Sequence, residues 1–122
     1  MDLATLDDLP RVDIVTSYAG ADGTAIKAFV AAGACGLISA GLAPGRPAKG
    51  EAAALAEAVK AGVTVVQATR APRGVVPPQR FLQVDGILAG GDLAPPKLRI
   101  LLMLAMTVTR DPHTLQRWLL DA

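Results

Sequence analysis

Few side chains in this 122-residue sequence could carry chemistry, and their spacing suits none of the familiar reactions. His113 is the single histidine and directly follows Asp111-Pro112. That pair reads as a helix cap with a first-turn proline, which gives the imidazole a solvated or capping role. A serine–histidine–carboxylate relay needs its three groups within hydrogen-bond reach, and one histidine near the end of the chain cannot be ordered into it. Cys35, the single cysteine, opens the apolar run Gly36-Leu37-Ile38-Ser39-Ala40 with no histidine nearby. A packed thiol is expected there, not a nucleophile. No spacing matches a zinc site, and there is no Gly-x-Gly-x-x-Gly and no Walker loop. Gly20 and Gly23 alone do not make a phosphate cradle, so no metal or cofactor is expected. Asp7 and Asp8 read as solvated, and Asp13 as a strand carboxylate open to pairing with a basic neighbour. These residues specify an architecture and no reaction.

The polar groups that could line a site fall instead in four stretches rich in glycine and proline: 17–23, 41–47, 69–79 and 90–93. They carry Ser17, Tyr18, Asp22, Arg46, Arg70, Arg73, Gln79 and Asp92. The intervening periodicity says what must position them. Val12 to Tyr18 is β-branched and reads as a buried strand. Asp22 then caps a helix with Ile26, Phe29 and Val30 on its apolar stripe, ended by Gly33. Gly36 to Ala40 is the second strand. Ala52, Leu55, Ala56 and Val59 form the next helical stripe, closed by Gly62, and Val63 to Thr69 is the third strand. Residues 70–85 are irregular, and Gly86 to Gly90 reads as a short fourth strand. A proline-led helix follows from Leu93, with Leu101, Leu104, Ala105 and Val108 as its stripe and Leu102 and Met106 widening it. The last helix is expected to bury Leu115, Trp118 and Leu119. Short strands alternating with helices predict an α/β fold: a small parallel sheet of about four strands, flanked by helices on both faces, with right-handed crossovers. Ligands of such sheets gather at the carboxyl ends of the strands, where all four stretches meet.

Composition agrees. Hydrophobic residues make up 52% of the chain and aromatics only 3%, which suits Ala, Val, Leu and Ile packed between helices and a parallel sheet. Twelve basic residues against eleven acidic ones, mixed along the chain, leave no basic stripe for nucleic acid. The longest apolar run, residues 100–106, is far below the ~20 residues that span a bilayer. No secretory leader is visible, and a lone cysteine forms no internal disulfide. Cytoplasm and periplasm both remain open. Residues 1–9 read as the remnant of an interdomain linker and residues 10–122 as one domain.

Three segments together resemble the C-terminal domain of bacterial L-asparaginases, in the asparaginase–glutaminase family. The first is Pro10-Arg11-Val12-Asp13-Ile14-Val15 running to Tyr18-Ala19. The second is Ala32-Gly33 leading to Gly36-Leu37-Ile38-Ser39-Ala40-Gly41. The third is Gly91-Asp92-Leu93, then Pro96-Lys97, Arg99, Leu101-Leu102 and Leu104-Ala105, ending in Thr107, Thr109 and Asp111-Pro112.

The resemblance implies a parent amidohydrolase converting asparagine to aspartate and ammonia through a threonine nucleophile. In the family that threonine, a threonine–aspartate pair and a lysine lie in a larger N-terminal domain. Their T-G-G-T and H-G-T-D motifs are absent here, so this chain alone is expected to be inactive. The implied partners are that N-terminal domain, further copies in a dimer or tetramer, and a small amide substrate; nucleic acid and membrane are not among them. The family's small domain completes a neighbouring subunit's site through the loop after its first strand, often with an asparagine. Gly20 stands at that position, which leaves Ser17, Tyr18, Gly20 and Asp22 as the candidate rim. A second cross-subunit contact, an acidic residue before the last strand, has no counterpart between Arg70 and Val84. Ala43-Pro44-Gly45 replaces the usual Gly-Asn-Gly. The competing readings are a stand-alone small-molecule-binding module and an assembly domain of a related amidotransferase subunit.

Overall fold

The computed structural model describes residues 9–17, 22–41, 49–69 and 75–121. Strands β1 (Val12–Thr16), β2 (Gly36–Gly41), β3 (Thr64–Thr69) and β4 (Leu88–Ala89) form one sheet in the order of the chain. All three pairings are parallel. Every residue of β2 is buried, as expected of a strand covered on both faces.

Chain-order strands mean that each crossover steps the same way across the sheet. The right-handed rule then puts the connecting helices on one face. Helices α1 (Thr24–Ala31), α2 (Lys49–Lys60) and the single turn α3 (Arg80–Gln83) are those connections. Ile26, Leu55 and Leu82 from them meet Val15, Leu37, Val65 and Ala89 in one core cluster. The opposite face is left to α4 (Pro95–Ala105) and α5 (Pro112–Asp121). Leu98, Leu102, Leu115 and Leu119 there cover Val12, Ile38, Val66 and Leu88. The expected parallel sheet with helices on both faces is what the chain forms.

Three helices hand over to strands through the same turn. Gly33, Gly62 and Gly86 have φ of +94°, +94° and +72°, and each following N–H reaches back five residues to a helical carbonyl. Only glycine takes that backbone conformation without a steric penalty. The glycine helix ends read from the sequence, Gly33 and Gly62, therefore have a third counterpart in Gly86. Gly86 caps α3 and does not begin a strand, so β4 is only two residues long. The α3 turn itself lies within the stretch read as irregular.

Both sheet edges are bonded by side chains from the helices after β4. Gln116 accepts from the Ala89 N–H at 2.7 Å and donates to the Ala89 carbonyl at 2.8 Å, as a neighbouring strand would. On the far edge Arg99 Nε donates to the Val12 carbonyl at 2.7 Å. Such capping blunts a sheet edge against pairing with other chains.

Helix α4 sits rotated from its expected phase, and α5 keeps its phase but leaves one expected core residue at the surface. On α4 the buried residues are Leu98, Leu102 and Ala105, whereas Leu104 is 37% exposed and Val108, beyond the helix end, 74%. The run is apolar nearly all round, so composition cannot set its phase; the Arg99 bond and the fit of Leu102 against Gly36 do. On α5 Leu115 and Leu119 are buried as expected, but Trp118 is 36% exposed. Strand β1 stops at Thr16, two residues short of its expected end. Among the described residues no helix is long and apolar enough to cross a membrane.

The phase of α4 has a direct check. Leu102→Ala is expected to cost about 2–5 kcal/mol in urea unfolding, from lost burial plus the cavity left behind. Leu104→Ala should stay within about 0.5 kcal/mol, as exposed substitutions do.

Candidate functional site

The carboxyl end of β1 carries its pairing one residue past the strand, where the Ser17 N–H bonds the Ala40 carbonyl at 2.8 Å. Alternation then turns Ser17 to the face that α1 and α2 cover. Its side chain is fully buried, and its hydroxyl donates to Oε1 of Glu51. Glu51 is only 1% exposed. It stands in the first turn of α2, where a carboxylate meets the positive end of the helix dipole. Its burial follows from helical phase: Glu51, Ala54, Leu55 and Ala58 are the buried positions, at i, i+3, i+4 and i+7. The stripe expected over Ala52, Leu55, Ala56 and Val59 is thus turned by about one residue.

Asp22 lies across the same edge. It forms an isolated parallel bridge with Gly50, the residue before Glu51. Its Oδ1 accepts from the Thr24 N–H at 3.0 Å. The N-cap position itself belongs to Gly23, so Asp22 closes a turn one residue earlier than expected. The bonds from Thr24 hold the Asp22 carboxyl below its ordinary range. Gly23 is required for space: a Cβ there would come within 2.7 Å of the Ala54 Cβ.

Further along the edge, Ser39 and Gln67 are register partners on β2 and β3, both buried. They share a face with Leu37 and Val65, the face of α1 and α2. Gln67 Nε2 donates to the carbonyls of Ser39 and Ala68, each at 3.0 Å. Two acceptors at the nitrogen fix which way the amide points. Ser39 Oγ and Gln67 Oε1 are buried without a hydrogen-bond partner among the described residues. With Thr69 these groups are the buried polar residues of the described chain, and they all come from the carboxyl-end edge.

The remaining candidates separate. Tyr18, Gly20, Arg46, Arg70 and Arg73 lie outside the described residues. Asp92 is exposed, and the Gln79 carbonyl caps the α3 turn. An antiparallel bridge between Val76 and Gly91 joins the third and fourth loops. Asp13 pairs with Arg11 at 2.8 Å, His113 is exposed and Cys35 half-buried. A cleft of about 380 Å³ beside β4 is lined by Ile87, Leu88, His113 and Gln116, away from the polar edge.

Serine bonded to a carboxylate is the start of a nucleophile–base pair. Neither Ser17 nor Glu51 is accessible, so in this chain the pair can support a surface but cannot attack a substrate. No group of three or more His, Cys, Asp or Glu among the described residues could hold a metal. The sequence reading missed Glu51, Ser39 and Gln67. For Glu51 a signal existed, a charge lying in phase with Leu55 and Ala58 on the apolar side of its helix.

Residues 11–119 match the sequence profile of the glutaminase/asparaginase C-terminal domain. The chain is 41% identical over 120 residues to L-asparaginase 2 of Escherichia coli, covering 95% of this chain and 34% of that protein. It is 40% identical over 116 residues to L-asparaginase 2 of Bacillus subtilis, covering 95% of this chain and 31% of that one. The crystal structure of a probable cytoplasmic L-asparaginase from Campylobacter jejuni superposes with a TM-score of 0.90 at 37% identity. That match covers 98% of this chain and 39% of the other. The chain spans about a third of the length of the curated relatives it matches.

The Asp22 turn sets an acid dependence. A carboxyl held low in the folded state adds stability above its unfolded value, and that stability is lost as pH falls through the folded value. Asp111 is held low in the same way, by bonds from Thr114. Asp22→Asn keeps an acceptor for Thr24 but cannot titrate. Between about pH 5 and about pH 2 its unfolding free energy should fall less than the wild type's, and less again with Asp111→Asn added. Urea titrations across that range check this, and superimposable acid limbs would contradict it.

Proposed function

The chain belongs to the glutaminase/asparaginase C-terminal domain family, and on that premise we propose that it serves an L-asparaginase-type amidohydrolase. The parent reaction cleaves the side-chain amide of asparagine to aspartate and ammonia. A threonine attacks the amide carbon, ammonia leaves, and water then hydrolyses the acyl-enzyme ester, which returns the threonine hydroxyl. The threonine belongs to the two thirds of the parent protein that this chain does not span. The small domain contributes the edge at the carboxyl ends of its strands; of the expected rim Ser17, Tyr18, Gly20 and Asp22, the last three would face a neighbouring subunit's substrate and the buried Ser17 would support them from beneath.

One observation carries this reading: the family match runs over residues 11–119, yet among the described residues the accessible groups along the polar edge include no nucleophile paired with a base. An edge with buried polar support and no accessible attacking group suits a surface that completes another site. Ile100, Leu104, Val108 and Leu120 are exposed apolar residues on the α4 and α5 side, which supports assembly into a dimer or tetramer.

The isolated chain is expected to release no ammonia from asparagine or glutamine, while the full-length protein releases it. A coupled ammonia assay on both checks this. Full-length protein inert towards both amides would defeat the proposal.

A further inference from the structure

Two buried side chains on the central strands each carry an oxygen without a hydrogen-bond partner among the described residues, and the two stand side by side. Ser39 on β2 and Gln67 on β3 are register partners, so they share one face of adjacent strands about 4.8 Å apart. Ser39 is 1% exposed and Gln67 is fully buried. Gln67 Nε2 commits both hydrogens, to the carbonyls of Ser39 and Ala68. That holds the amide head against the backbone of Ser39 and gives its Oε1 a fixed direction. Yet neither Oε1 nor the Ser39 hydroxyl bonds the other.

A buried oxygen without a hydrogen bond is costly, and Leu37 and Val65, two residues earlier on the same strands and face, show what would avoid that cost. The chemistry of the pair defines what suits it. Gln67 Oε1 can only accept, whereas the serine hydroxyl rotates to donate or accept. Water donates to the first while joining the second, and two bonds of about 2.8 Å span the strand spacing. Small neighbours give it room: Ala89 is the register partner of Gln67 on its other side, and α2 turns Ala54 and Ala58 inward. Buried waters sit among polar groups and make about three bonds. Ser17 and Thr69, one row further along the same face, make the surroundings polar.

We propose that Ser39 and Gln67 hold one internal water molecule, which joins β2 to β3 through their side chains on the face covered by α1 and α2. The site belongs to the fold and does not depend on the amidohydrolase reading.

A crystal structure of the 122-residue chain at about 1.5 Å or better tests this directly. One ordered water is expected within about 3.2 Å of both Ser39 Oγ and Gln67 Oε1. A direct Ser39–Gln67 bond, another protein group bonded to either oxygen, or no water in contact with both would overturn the proposal. A double-mutant cycle in urea gives a second reading. Ser39→Ala and Gln67→Met should each weaken folding, and together they should weaken it about fivefold less than the product of the two, because each variant removes one end of the same bridge. The backbone bonds of Gln67 cancel in that comparison. Losses that simply multiply would overturn the bridge, and the wild-type crystal decides the matter even where a variant does not fold.

Discussion

Strands laid side by side in chain order impose a constraint that the rest of this domain obeys. Every crossover turns the same way, so α1, α2 and α3 must share one face. The other face would stay bare, because no strand-to-strand connection crosses it. Helices α4 and α5 supply that cover after the last strand. They also reach the two edges, where Arg99 bonds β1 and Gln116 bonds β4. A short C-terminal segment thus closes a face and blunts both edges.

The two ends of the sheet are built differently for the same reason. At the amino ends of β2, β3 and β4 the chain arrives from helices through glycine turns, and the residue after each glycine bonds back to a helical carbonyl. At the carboxyl ends it leaves through longer loops, and there the buried residues are polar: Ser17, Ser39, Glu51, Gln67 and Thr69. Apolar side chains would make the better core at these positions. Among the described residues polar burial keeps to this one edge, the pattern expected where a domain gives up stability for a surface.

The family relationship fits this division. A domain spanning about a third of its relatives' length can leave its attacking group elsewhere and still carry a shaped edge. The sheet edges are bonded within the chain, and Ile100, Leu104, Trp118 and Leu120 are exposed apolar residues of α4 and α5, so a helical face is better placed than a strand edge to meet another apolar surface.

Local periodicity determined a good deal here. The alternation of β-branched runs with helical stripes, the capping glycines Gly33 and Gly62, and the cap Asp111 before Pro112 could all be read from neighbouring residues, because each depends on interactions within one turn. The four loops of the rim followed from topology, since parallel strands bring all their carboxyl ends to one edge. The rotation of α2 and α4 did not follow. Alanine-rich and leucine-rich helices look apolar from several sides, and which side is buried depends on strands far away in sequence. The burial of Glu51 was therefore decided only when α2 settled on the sheet, bringing its carboxyl to Ser17, 34 residues away. A charge on a helix reads as solvated until the tertiary fold places a partner beside it.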